Sequence, residues 1–260
     1  MKMSLLKQTE ESNRKRSESY KKTASEKKKT GHALEDIFAS SRGGCLIPTG
    51  QLTSTGQKRK TDVEDPQYGN CSVKKREMKH IQALLESTNS MKKRLEVGHP
   101  LTDHSIASWE YYHDKHEKQG LNSKSLKEVQ NQKAMALKQW LEDKNNQRQM
   151  FEYIFGGNND IEHMAIISER DPVRVTMIPF HDFINGIVDL KLESHATDGG
   201  RVVLRKFKKF NKKGKRQTQS VFTLEQRSNK GHYNGYLYKA EAKRIWEVID
   251  NSDKSFVVDL

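Results

Sequence analysis

The chain has 260 residues, 33% of them hydrophobic and 31% charged, and its 47 Lys and Arg against 34 Asp and Glu leave a net charge of +13. That is too polar for one compact globule throughout, yet long enough for one or two modest cores, so part of the chain is expected to be disordered. Cys45 and Cys71 are too few for a disulfide framework or a four-cysteine zinc site, and there is neither an apolar run of about 18 residues nor an apolar secretory segment at the start, so the expectation is a soluble intracellular protein with no membrane contact.

Residues 1–72 read as a disordered basic arm, because apolar residues are too scattered there to offset the entropy of ordering. One short segment stands out. In His32 to Ala39, the residues Leu34, Ile37 and Phe38 share a helical face, the pattern either of a docking turn that folds on a partner or of a chance apolar cluster. The arm and its downstream flank also carry basic clusters: Arg14-Lys15-Arg16, Lys27-Lys28-Lys29 beyond Lys21-Lys22, Lys58-Arg59-Lys60 and Lys74-Lys75-Arg76. Short basic runs of this kind are read by nuclear import receptors and attract phosphate backbones, so an import receptor is an expected partner and the nucleus the expected compartment.

Residues 73–157 are expected to form a helical module. Met78, Ile81, Leu85, Met91 and Leu95 predict a first helix stopped by Gly98 and Pro100, and Ile106, Trp109, His113 and His116 a second, opened by Thr102 or Asp103. A third starts at Ser123 with Leu126, Val129, Leu137, Trp140 and Leu141 as its stripe, and is extended by Met150, Phe151, Ile154 and Phe155 to Gly156-Gly157. Helices with one apolar stripe each pack on one another or on a second copy, so a homo-oligomer is a further expectation.

Residues 158–260 are expected to be an antiparallel sheet closed by a C-terminal helix, giving an α+β chain overall. Val173, Val175 and Met177 alternate as a strand, and Phe183 to Leu192 reads as another. The turn Asp198-Gly199-Gly200 leads into a strand over Arg201 to Phe210, followed by a turn at Asn211 to Lys215 and a returning strand through Ser220 to Leu224. After Asn234-Gly235, the residues Tyr238, Ala242, Ile245, Trp246 and Ile249 mark one face of the closing helix.

Arg201 to Arg216 holds nine Lys or Arg residues and no acid, with two phenylalanines among them. So dense a cluster repels itself unless something negative lies against it, and interleaved aromatics suit a polymer that carries bases as well as phosphates. The residues assigned to nucleic-acid binding are Arg201, Arg205, Lys206, Phe207, Lys208, Lys209, Phe210, Lys212, Lys213, Lys215 and Arg216. Strand alternation places Phe207 on one face and Phe210 on the other, at the root of a charged finger. Lys outnumbers Arg, and a point charge on a flexible stem reads bases poorly, so binding is expected to be driven by the phosphate backbone.

Two other constellations are weaker. His113 and His116 have the spacing of two zinc ligands on a helix, but the His-Glu-x-x-His pattern is absent and the cysteines are remote, so no metal is assigned. Asp182, Asp189 and Glu193 resemble nuclease carboxylates only in the way that alternating surface acids on a strand do. Phosphate-binding loop, nucleophile elbow and dinucleotide signatures are missing, so neither a catalytic residue nor a cofactor is assigned. The last hundred residues are similar in plan to sheet-based single-strand binders, an analogy of architecture without a motif. The sequence therefore favours a non-enzymatic nucleic-acid-binding protein of the nucleus, serving transcription, replication or packaging. The alternative is a viral-type structural, nucleocapsid or transport protein that oligomerises through its helices.

Overall fold

A computed structural model describes residues 31–48, 59–84, 123–156, 160–169, 174–197, 200–229 and 233–259. The fold is α+β, with two mostly antiparallel sheets and helices between and beside them. In the first sheet the order is β1 (Cys45–Leu46), β2 (Val63–Asp65), β3 (Gly69–Lys75), β5 (His163–Ser168), β6 (Arg174–Pro179) and β11 (Phe256–Val258). All its pairs are antiparallel except β3 with β5. The second sheet runs β4 (His80–Leu84), β10 (Tyr233–Glu241), β9 (Arg216–Asn229), β8 (Arg201–Phe210) and β7 (Glu193–Thr197), antiparallel throughout.

The helices are α1 (residues 31–42), α2 (Ser123–Trp140), α3 (Lys144–Phe151) running into a π-helical turn (Glu152–Gly156), α4 (Phe180–Val188) and α5 (Ala242–Asp250). Strand β5 reads as a continuous apolar run because both of its faces are buried. Met164 and Ile166 point into a core shared with α2 to α5 and the second sheet, while Ala165 and Ile167 point into a smaller core closed by α1. The second sheet gives Val202, Leu204, Phe222, Leu224 and Ala240 to the larger core. The resulting order of layers is α1, first sheet, helices, second sheet.

Several expectations are corrected. Residues 31–48 and 59–72 belong to the folded body, since β1 to β3 supply half of the first sheet. The apolar turn of the arm docks on the chain itself: Leu34 and Phe38 are buried against Val63, Cys71 and Val175, with Ile37 left 50% exposed. Arg42 fastens α1 by its ion pair with the buried Asp65 and by lying 5.0 Å from the Tyr68 ring centroid. Burial alone would raise the Asp65 carboxyl, but hydrogen bonds from Arg42 and from the Gln67 and Tyr68 N–H groups outweigh it and hold the carboxyl below its usual range.

The stretch read as a helix from Met78 is a strand as far as described, with Ile81 paired to Ala240 in the core. Its continuation, the second expected helix, His113 and His116 lie outside the described residues. Conversely Phe183 to Leu192, read as a strand, is mostly α4, whose Phe180, Phe183, Ile184 and Ile187 form a buried stripe. Strand β10 runs through Asn234-Gly235 and Tyr238, so the closing helix starts only at Ala242. The third expected helix is present, broken between Trp140 and Lys144 where Asp143 caps α3 by accepting from the Asn145 N–H.

The interlayer contacts are close. A Cβ on Gly186 of α4 would stand 2.3 Å from Val248 Cγ1 of α5, so only glycine lets these helices approach as they do. Trp246 of α5 is buried and donates its indole N–H to the Arg76 carbonyl at 2.9 Å, which ties α5 to the segment between β3 and β4.

Candidate nucleic-acid interface

The β8–β9 hairpin has two halves with different surroundings. Pairing of β7 with β8 stops at Glu193–Arg205, and pairing of β10 with β9 stops at Phe222–Ala240. Beyond those points, residues 206–221 continue as a two-stranded ribbon. Its loop is ordered from within. The Asn211 side-chain oxygen accepts from the Lys213 and Lys215 N–H groups at 2.9 and 2.8 Å, and Gly214 supplies the positive φ of +70° that the turn requires. With the loop backbone satisfied this way, Lys212, Lys213 and Lys215 are held out into solvent.

Two register shifts shape the ribbon. Between Leu204–Phe222 and Arg205–Ser220 the extra residue is Val221 on β9, and between Phe207–Thr218 and Lys209–Gln217 it is Lys208 on β8. The first explains why the neighbours Val221 and Phe222 are both buried. The second overturns the simple alternation: Phe207 and Phe210 lie on one face, with ring centroids 5.3 Å apart. That is the face turned away from the helices, because Leu204 points into the core and odd positions after it point outward. Opposite Phe210 on β9, Arg216 places its guanidinium carbon 5.0 Å from the Phe207 centroid. A guanidinium plane and two rings thus form one platform, with Phe210 at 63% the most exposed large apolar side chain among the described residues and Phe207 at 37%.

The cations around this platform are open. Lys206, Lys208, Lys209, Lys212, Lys213, Lys215 and Arg216 are all exposed, and among the described residues no ion pair joins any of the six lysines. The two pairs present are Arg201 with Glu225, outside the ribbon, and Arg216, opposite Phe210 beside the turn, with Glu193 of β7. Arg205 is half-buried on the same outward face, and its Nε meets no acceptor.

The import-type clusters fall elsewhere. Arg14 to Arg16, Lys27 to Lys29 and Lys58 lie outside the described residues. Arg59 pairs with Asp160 at 3.0 Å, the Lys60 N–H donates to the same carboxylate, and Lys74, Lys75 and Arg76 pair with Asp62, Glu169 and Asp250. Burial would raise Asp160, but donation from the Thr61 N–H and hydroxyl and the Lys60 N–H, with the charge of Arg59, holds it below its usual range. The carboxylates considered for a nuclease are separated: Asp182 lies in the first turn of α4, Asp189 caps its far end and Glu193 belongs to β7. Among the described residues no three His, Cys, Asp or Glu side chains are grouped to hold a metal ion, and no helix is long and apolar enough to cross a membrane.

A cleft of about 240 Å³ on the inward side of the ribbon had no signal in the sequence. It is lined by Lys206, Lys208 and Gln219 of the ribbon, Leu190 after α4, and Arg244 and Glu247 of α5. Residues as distant in sequence as Leu190 and Glu247 meet there only because α5 packs beneath the second sheet, which no local pattern encodes. In comparisons with known proteins, no family, no curated protein and no solved structure matches the chain.

Proposed function

We propose that the β8–β9 ribbon binds single-stranded nucleic acid, with the Phe207–Phe210–Arg216 platform stacking on bases and the surrounding lysines neutralising phosphates. The observation that carries this reading is the bulge at Lys208, which puts both rings on one exposed face among six lysines that have no ion pair among the described residues. Phe210, 63% exposed, and Phe207, 37% exposed, together forgo about 1.5 to 3 kcal/mol of burial, a cost that a merely structural hairpin has no reason to bear. Bases offer flat faces to such a platform whatever their identity, and lysine contacts to phosphate carry no sequence information. The role is therefore binding with low sequence specificity, in line with the lack of catalytic motifs.

Nuclear import remains part of the proposal and narrows to Arg14-Lys15-Arg16 and Lys27-Lys28-Lys29, since the cations at 59 and 74–76 are engaged in ion pairs. The binding reading is tested by replacing Lys208, Lys209, Lys212 and Lys213 together with Gln. Gel-shift affinity for a single strand is expected to fall about a hundredfold or more at moderate salt, with an unchanged thermal midpoint because all four side chains are exposed. Unchanged affinity in a folded variant would remove the ribbon from the proposal.

A further inference from the structure

The inward cleft differs from the outward platform in chemistry. The platform offers rings and cations, which every nucleotide satisfies equally. The cleft adds Gln219, an amide that both donates and accepts, and Glu247, a carboxylate that only accepts. Glu247 is held by Arg244 one helical turn away, which cancels its charge toward an approaching phosphate and leaves lone pairs free. Leu190 and Val221 give the cleft an apolar part, and Lys206 and Lys208 stand at the ribbon side.

The volume lies just under the range of about 300 to 1,000 Å³ usual for whole small ligands, so the cleft suits one unit of a longer molecule. Access fits that picture. Beyond Arg205 strand β8 has lost its neighbour β7, so a strand stacked on the outward platform can cross this edge beside the bulged Lys208 and place its next unit underneath. Phe207 borders the cleft as well as the platform, which makes the two surfaces continuous.

Building on the single-strand reading, we propose that this cleft receives one base and selects for an exocyclic amino group, which Glu247 accepts while Lys206 and Lys208 hold the adjoining phosphate. Cytosine, adenine and guanine carry such a group; thymine and uracil do not. The ribbon then supplies affinity, and the cleft supplies a modest base preference at one position.

The test compares oligodeoxycytidine with oligodeoxythymidine of equal length, two pyrimidines that stack alike, by fluorescence anisotropy on the full chain. The cytidine oligomer is expected to bind about fivefold to tenfold tighter. In Glu247→Met, which keeps the side chain's length but removes its acceptor at a half-buried position, the two are expected to agree within about twofold while affinity for the thymidine oligomer does not fall. Equal binding of both oligomers by the unaltered chain, or a cytidine preference that survives Glu247→Met, overturns the cleft assignment and leaves the ribbon reading standing. Binding of neither oligomer overturns both.

Discussion

Two basic regions of this chain look alike in sequence and differ in what the fold gives them. Arg42, Arg59, Lys74, Lys75 and Arg76 each have a carboxylate across a loop or strand: Asp65, Asp160, Asp62, Glu169 and Asp250. The six lysines of the β8–β9 ribbon have none among the described residues, and they surround two exposed rings. A cation whose partner is internal contributes to folding. One left without a partner contributes only when a partner from outside arrives, so charge density is informative once the internal carboxylates have been subtracted.

The largest effect that separates the regions is expected from Asp160→Ala, which leaves Arg59, Thr61 and two N–H groups facing an empty site. A loss of about 3 to 5 kcal/mol is expected in urea unfolding, with single-strand affinity of the folded protein unaltered. The same carboxylate gives the comparison a pH axis. Its folded pKa lies below the ordinary value of 3.8, so its stabilisation is fully present above that pH and is lost as pH falls through the folded value. The stability gap between the unaltered chain and Asp160→Asn should accordingly narrow below about pH 4; a gap that widens on acidification would contradict the assignment.

On the ribbon, the opposite pattern is expected. Phe207→Ala with Phe210→Ala should cost about 1 to 3 kcal/mol of binding per stacked base, read by anisotropy, and lower stability by no more than about 1 to 2 kcal/mol. The smallest effect is expected from Lys75→Gln, whose pair with Glu169 is partly exposed: a stability change under about 1 kcal/mol and no change in binding. A drop in single-strand affinity for Lys75→Gln would blur the division between the two regions.

How much of this was legible in the sequence follows from how local each feature is. The ribbon was legible, because Gly214 and Asn211 mark its turn and the cations are contiguous. The stripes of α2 and α5 were also legible from their period, with Leu137, Leu141, Ile245 and Ile249 buried as spaced. Short segments were not. Over five residues of β4, helical and strand spacing cannot be told apart, and pairing of Ile81 with Ala240 decides. In α4 the run from Phe183 satisfies both periods, and the burial of Phe180 with Ile184 and Ile187 selects the helix.

The platform itself was hidden by a single residue. Regular alternation separates Phe207 from Phe210, and only the bulge at Lys208 brings them together. The inward cleft was hidden more deeply, since Gln219 and Glu247 meet through packing of α5 against the sheet.

The central claim is that the ribbon's unpaired lysines are phosphate contacts, and the salt dependence of single-strand affinity tests it most directly. If about five cations meet phosphates, the logarithm of affinity should fall by about four per decade of salt in the unaltered chain. In the Lys208, Lys209, Lys212 and Lys213 to Gln variant the slope should drop to about one. A slope near zero in the unaltered chain, or one that the four substitutions leave as steep, would contradict the account.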